Sequence, residues 1–146
     1  MKKHVLLSVE DDETDFYLIR LALKDLDIPH ELYRVKDGEE GLRFLKQVDS
    51  YQDAPRPDLI LTNVNMPKKT GLEMLADIKA DASLSSIPVV VLTSGQAQRE
   101  KKKALELGAH DYITKPSSLG EFVEAIKASC LRILARGKTA GVADPC

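Results

Sequence analysis

The chain has no tryptophan, two cysteines, three histidines and no long apolar run. Cys130 and Cys146 are too few for a disulfide framework and lack metal-ligand spacing, so a reducing cytoplasm is the simplest home. Cys130 reads as a helix packing residue and Cys146 as a thiol near the terminus. No stretch approaches the ~18 apolar residues of a membrane span. The apolar start at His4 to Val9 is cut off by Glu10-Asp11-Asp12-Glu13, too early for an export signal. A surplus of one charge is also missing: 21 Lys plus Arg face 23 Asp plus Glu, a net −2, which argues against general attraction to nucleic acid or an anionic membrane.

What remains is enough for one domain, since 146 residues with 43% hydrophobic content can bury a single core. Short apolar runs alternate five times with helical patterns, the signature of an α/β protein whose parallel sheet is covered by helices on both faces. The pattern predicts strands over 4–9, 30–35, 57–62, 87–92 and 110–113, and helices over 14–27, 38–48, 71–80, 97–107 and 118–135. Phe16, Ile19, Leu23 and Leu26 form the core stripe of the first helix. Leu119, Phe122, Val123, Ile126, Cys130, Ile133 and Leu134 form that of the last. The fourth helix is polar until Ala104-Leu105, which marks either a solvated face or a loosely held switch element. Residues 136–146 carry no periodicity and read as a disordered C-terminal tail after a domain spanning 1–135.

Four of the five strands end in polar clusters: Glu10-Asp11-Asp12, Thr62-Asn63-Val64-Asn65-Met66-Pro67, Thr93-Ser94 and Thr114-Lys115-Pro116. In an open parallel sheet ligands bind outside the carboxyl ends of the strands, so these clusters should converge on one pocket. Glu10 and Asp11, with the backbone carbonyl of Asn65, offer the oxygen donors that Mg2+ takes. The Thr93 hydroxyl and Lys115 ammonium suit the oxygens of a phosphoryl group, whose transfer depends on positioning and charge neutralisation. Such a pocket lacks one part, a nucleophilic carboxylate, because its centre is Asn63. A competing reading gives Asp12 or Thr14 to the cap of the first helix.

These motifs, in this order and spacing, resemble the receiver domain of bacterial two-component response regulators over nearly the whole chain. They are Val9-Glu10-Asp11-Asp12, the segment from Pro57 to Pro67, Pro88 to Ser94, and Gly108 to Pro116. The resemblance implies a chemotaxis-Y-like, flavodoxin-like doubly wound fold with five parallel strands in the order 2-1-3-4-5. It further implies Mg2+ and an aspartyl phosphate taken from a histidine kinase or a histidine phosphotransfer protein. By position, Glu10 and Asp11 are similar to the metal-binding acids, Thr93 to the phosphoryl-sensing hydroxyl, Tyr112 to the switch aromatic, and Lys115 to the lysine whose bond to the next proline, here Pro116, is usually cis. Asn63 stands where the family has its phosphoacceptor aspartate and contributes to the metal site.

An amide is a far poorer nucleophile than a carboxylate, so the expectation is a chain that is not phosphorylated at position 63 and holds Mg2+ more weakly. Two histories fit Asn63, a natural phosphorylation-independent pseudo-receiver or an Asp→Asn block in an ordinary regulator. The leading reading is a single-domain response regulator, not an enzyme, that signals by protein contact. The alternative is a constitutive binding module that acts on a kinase or partner without a phosphate cycle. A flavodoxin-like carrier lacks its phosphate loop here, and a phosphatase of the haloacid dehalogenase type lacks its nucleophile. Tyr17, Leu18 and Leu21 form a second apolar face on the first helix, suited either to a phosphodonor or to packing under local loops. Ile133 and Leu134 prolong the last stripe, which suggests a homodimer through the last helix region. Pro29 to Leu32 and Tyr51 to Pro57 resemble stand-alone receivers linked to bacterial phytochromes, which would make a phytochrome kinase the partner.

Overall fold

The computed structural model describes the backbone of residues 3–93, 98–115 and 118–143, and their side chains apart from residues 98 and 136–143. Five strands, β1 (His4–Val9), β2 (His30–Val35), β3 (Leu59–Asn63), β4 (Val89–Thr93) and β5 (Asp111–Thr114), alternate with α1 (Glu13–Lys24), α2 (Gly38–Lys46), α3 (Gly71–Ala80), α4 (Gln98–Glu106) and α5 (Leu119–Ala143). All strand pairs are parallel, in the order β2-β1-β3-β4-β5. This is the doubly wound sheet the sequence predicts.

Strand alternation splits the core in two. Leu7, Val9, Ile60, Val89 and Val91 face α2, α3 and α4 through Phe44, Leu45, Met74, Leu75, Ile78 and Ala104. Leu6, Leu59, Leu61, Val90, Leu92 and Ile113 face α1 and α5 through Leu18, Ile19, Leu23, Phe122, Ile126 and Leu134. Cys130 lies in this second layer, where burial pushes its thiol up to about 12 and leaves it inert. Leu119, assigned to the core stripe, is instead exposed, because it is the first residue of α5 and no element among the described residues covers it. Leu18, assigned to an outer face, is buried.

Element ends follow local chemistry. Asp12 caps α1, its side chain accepting from Thr14 N–H at 2.9 Å. Gln47 in the left-handed region ends α2 earlier than predicted, and Thr70 with Glu73 closes a capping box on α3. Strands three and four begin two residues late, after Pro57 and Pro88, since proline cannot donate to the ladder. The backbone of α5 continues through residues 136–143, part of the 136–146 stretch read as a disordered tail: Gly137 and Gly141 weaken a helix without forbidding it. Ala97, Ser94, residues 144–146 and the Lys115-Pro116 bond lie outside the described residues.

The register sets the site. Val9 pairs with Thr62, Asn63 with Leu92, and Thr93 with Thr114, so the polar ends of β1, β3, β4 and β5 lie along one edge. Strand order reverses between β1 and β3, opening a crevice there. Gly71 lets α3 approach this edge: its N–H donates to Val64 O at 2.8 Å, and a Cβ would lie 2.0 Å from Asn63 O. Gly71→Ala is expected to cost about 2–3 kcal/mol by overpacking, read as a lower urea midpoint. Gly120→Ala, where the nearest atom to an added Cβ is 3.7 Å away, is expected to be neutral or stabilising.

Candidate functional site

Glu10 follows β1 and is 2% exposed. Its backbone is fixed on both sides, the N–H donating to Val35 O at 3.0 Å and the carbonyl accepting from Arg34 Nε at 3.0 Å. Arg34 also donates to both Glu13 carboxylate oxygens at 3.0 Å and lies over the Phe16 ring, so β2 is clamped to the start of α1. One carboxylate oxygen of Glu10, Oε2, accepts from Asp12 N–H and from Asn63 Nδ2, each at 3.2 Å. Burial pushes the Glu10 carboxyl up to about 7; the Asp12 amide opposes the shift, and the charges of Asp15, Asp11 and Asp12 add to it.

Asn63, at the end of β3, makes three contacts. Nδ2 donates to Glu10 Oε2 and to Asn65 O at 3.3 Å, while Oδ1 accepts from Val64 N–H at 2.9 Å. These partners fix the amide's orientation. Flipping it would set its oxygen against a carboxylate and a carbonyl and its NH2 against an N–H. Beneath it, buried Thr62 satisfies its hydroxyl by donating to Asn63 O at 2.9 Å.

Of the residues the sequence nominates, Glu10, Asn63 and Asn65 are therefore joined directly. Asp11 is exposed beside them, its charge acting on Glu10. Glu10, Asp11 and the Asn65 carbonyl form a hard-oxygen set that fits a divalent cation retaining much of its water. Among the described residues no group of three or more acidic, His or Cys side chains could cage one. The Asn63 NH2 lies between the Glu10 and Asn65 oxygens, so a cation drawing on both would displace it.

The other two groups are engaged elsewhere. Lys115 Nζ donates to Asp15 Oδ1 at 2.6 Å, with both side chains about three-quarters buried or more, and sits 5.8 Å from the Phe122 ring centre. The lysine is thus directed to α1. Thr93, 3% exposed, donates from Oγ1 to Glu100 Oε1 at 2.8 Å, and Tyr112 OH donates to the same oxygen at 3.1 Å. Burial, followed by the hydrogen bond and charge of Glu100, raises the Tyr112 pKa. Sequence reasoning missed Asp15 and Glu100. Each is an acid within a polar run, and nothing in periodicity separates a carboxylate turned inward from one in water.

The response regulator receiver domain model matches residues 6–127. The chain belongs to that family. Response regulator Rcp1 of Synechocystis sp. is 40% identical over 123 residues, covering 84% of each chain. The phosphorylated cyanobacterial phytochrome response regulator RcpA superposes with a TM-score of 0.87 at 38% identity, over 92% of this chain and 96% of that one. The Mn2+-bound form of Rcp1 does so with a TM-score of 0.81 at 39% identity, over 86% and 90%. This receiver domain is therefore a module of two-component signalling whose relatives include phytochrome-associated response regulators. That form of Rcp1 carries Mn2+. No helix among the described residues is long and apolar enough to cross a membrane.

The raised Glu10 pKa has a consequence for stability. Because the folded value lies above the ordinary 4.5, the cost of ionising Glu10 in the fold is absent below about pH 4.5 and complete above about pH 7. In chelator, Glu10→Gln is expected to gain stability relative to the parent as pH rises from 5 to 8, by on the order of 2–3 kcal/mol. Urea denaturation at the two pH values checks this, and a difference independent of pH would contradict it.

Proposed function

We propose that this receiver domain signals through protein contacts and does not accept phosphate at position 63. The observation that carries the reading is the Asn63 amide, whose NH2 links Glu10 to Asn65 at the centre of the strand-end pocket. A carboxylate there would be a nucleophile beside a cation; the amide is a poor nucleophile and supplies an N–H where the cation would be drawn. Thr93 ends β4, Tyr112 lies within β5 and Lys115 follows it, and in this chain they bond to Glu100 and Asp15; the reading takes Thr93 and Lys115 as phosphoryl-handling groups and Tyr112 as the switch aromatic. Glu10, Asp11 and the Asn65 carbonyl would hold Mg2+, which would supply charge neutralisation at the pocket, with an affinity lowered by the missing third carboxylate. The setting that suits such a module is the cytoplasm.

Intact-mass analysis after incubation with acetyl phosphate and Mg2+ is expected to show no added phosphate on this chain and one phosphate on its Asn63→Asp form. Mg2+ should bind the Asp form more tightly by tenfold or more, read by titration calorimetry. Stoichiometric phosphate on Asn63 would overturn the reading. Uptake by neither form favours the constitutive pseudo-receiver over the blocked regulator.

The partner best supported is a histidine kinase or histidine phosphotransfer protein. Given the likeness to RcpA, a bacterial phytochrome kinase is the leading candidate. Its docking surface lies between α1 and α5, where Tyr17, Leu21, Leu119 and Val123 line an open groove of about 990 Å³. Tyr17 and Leu119 are the exposed apolar side chains there, at 57% and 54%. Self-association through the last helix and strand rests on fewer groups than the sequence offered: Leu134 is taken into the chain's own core, leaving half-buried Ile133 beside Arg132, which donates to Asp111 of β5. Sedimentation equilibrium at high micromolar concentration is expected to show a dimer, and a monomer throughout would remove that part of the proposal.

A further inference from the structure

α4 is weakly attached to the rest of the chain. Its sequence from Arg99 to Lys103 is charged at every position, and Arg99, Lys101, Lys102 and Lys103 are exposed or nearly so. Ala104 is its buried apolar side chain among the described residues, while Leu105 is 48% exposed. An alanine buries too little area to hold a helix of nine residues in place. Half-buried Leu107 just past the helix also packs on the core, and among the described residues the polar contacts from α4 to β4 and β5 converge on one atom. Glu100 Oε1 accepts from Thr93 Oγ1 at the end of β4 and from Tyr112 OH on β5.

We infer that Glu100 is the positioning residue that sets the resting state of the switch: its carboxylate tethers α4 to Thr93 and Tyr112 and competes with any anion in the pocket for the Thr93 hydroxyl. This rests on reading Thr93 as the group that meets a phosphoryl oxygen. A hydroxyl has one proton to donate. While Thr93 donates to Glu100 it cannot donate to an anion at the Asn63 end of the pocket, and turning to such an anion leaves Glu100 with one partner fewer and α4 with a weaker hold. The coupling is reciprocal: the factor by which the tether lowers anion affinity is the factor by which a bound anion weakens the tether. In the Asn63 chain, where no phosphate forms to compete, the tether stays closed and fixes the face that α4 presents to a partner.

The test uses full-length variants and beryllofluoride with Mg2+ as the phosphoryl probe. In the Asn63→Asp background, adding Glu100→Ala is expected to tighten beryllofluoride binding about tenfold, the worth of one charge-assisted hydrogen bond no longer broken on binding. Glu100→Gln keeps the acceptor without the charge and should fall between. In a background that also carries Thr93→Ala, the gain should vanish, since the two residues act through one bond. In the unaltered Asn63 chain, Glu100→Ala should speed amide exchange across residues 98–106 by about tenfold or more while leaving the core strands protected. A role limited to stability would lower the melting temperature without raising the affinity. Unchanged or weaker beryllofluoride binding in the folded Glu100 variants, a gain that persists without Thr93, or unaltered exchange in α4 each overturns the inference. Failure of the Asn63→Asp form to bind beryllofluoride at all sinks the phosphoryl reading of the pocket and the competition together, whereas binding with no Glu100 effect sinks the competition alone.

Discussion

A carboxylate buried to 2% exposure must be met by donors, and the way Glu10 is met governs the rest of the pocket. Among the described residues no cationic side chain bonds its Oε2; Arg34 donates instead to the Glu10 carbonyl and to Glu13. The oxygen relies on the Asp12 amide and on Asn63. That requirement ties the loop after β1 to the end of β3, and through Asn65 and Val64 it reaches the turn before α3, where Gly71 allows the close approach. Position 63 thus supports the geometry of the edge whether or not any ligand arrives.

The same economy appears at the other strand ends. Asp15 takes the Lys115 ammonium and Glu100 takes the hydroxyls of Thr93 and Tyr112. The two groups suited to an external anion, Thr93 and Lys115, each have an acid within the chain as a partner. Partly buried ionic and charge-assisted contacts of this kind are worth more than surface pairs, because solvent screens them less.

Much of this was legible in the sequence because it follows from periodicity and punctuation. Apolar runs such as Val89 to Leu92 can hardly be anything but buried parallel strands, and the polar clusters at their ends announce the pocket edge. Boundaries slipped where one residue decided them: Pro57 and Pro88 delay strands, and Gln47 in the left-handed region ends a helix early. Leu18 and Leu119 exchanged places between core and surface because helical spacing gives a face without saying where its covering neighbour stops. Asp15 and Glu100 were hidden for a different reason. A charged residue on an amphipathic helix carries no pattern that separates solvent from a buried partner a hundred residues or one strand away.

The identity of residue 63 can then be argued from the network alone. Aspartate would place a second carboxylate against Glu10 Oε2 at hydrogen-bond distance, and with no cation between them one acid would have to stay protonated. Alanine would leave both Glu10 and the Asn65 carbonyl without this donor, and the Val64 N–H without its acceptor. Asparagine is neutral, donates twice and accepts once, and so satisfies all three neighbours with no metal present. Its presence shifts the pocket from one that needs a cation to hold its acids together to one that holds them together by itself.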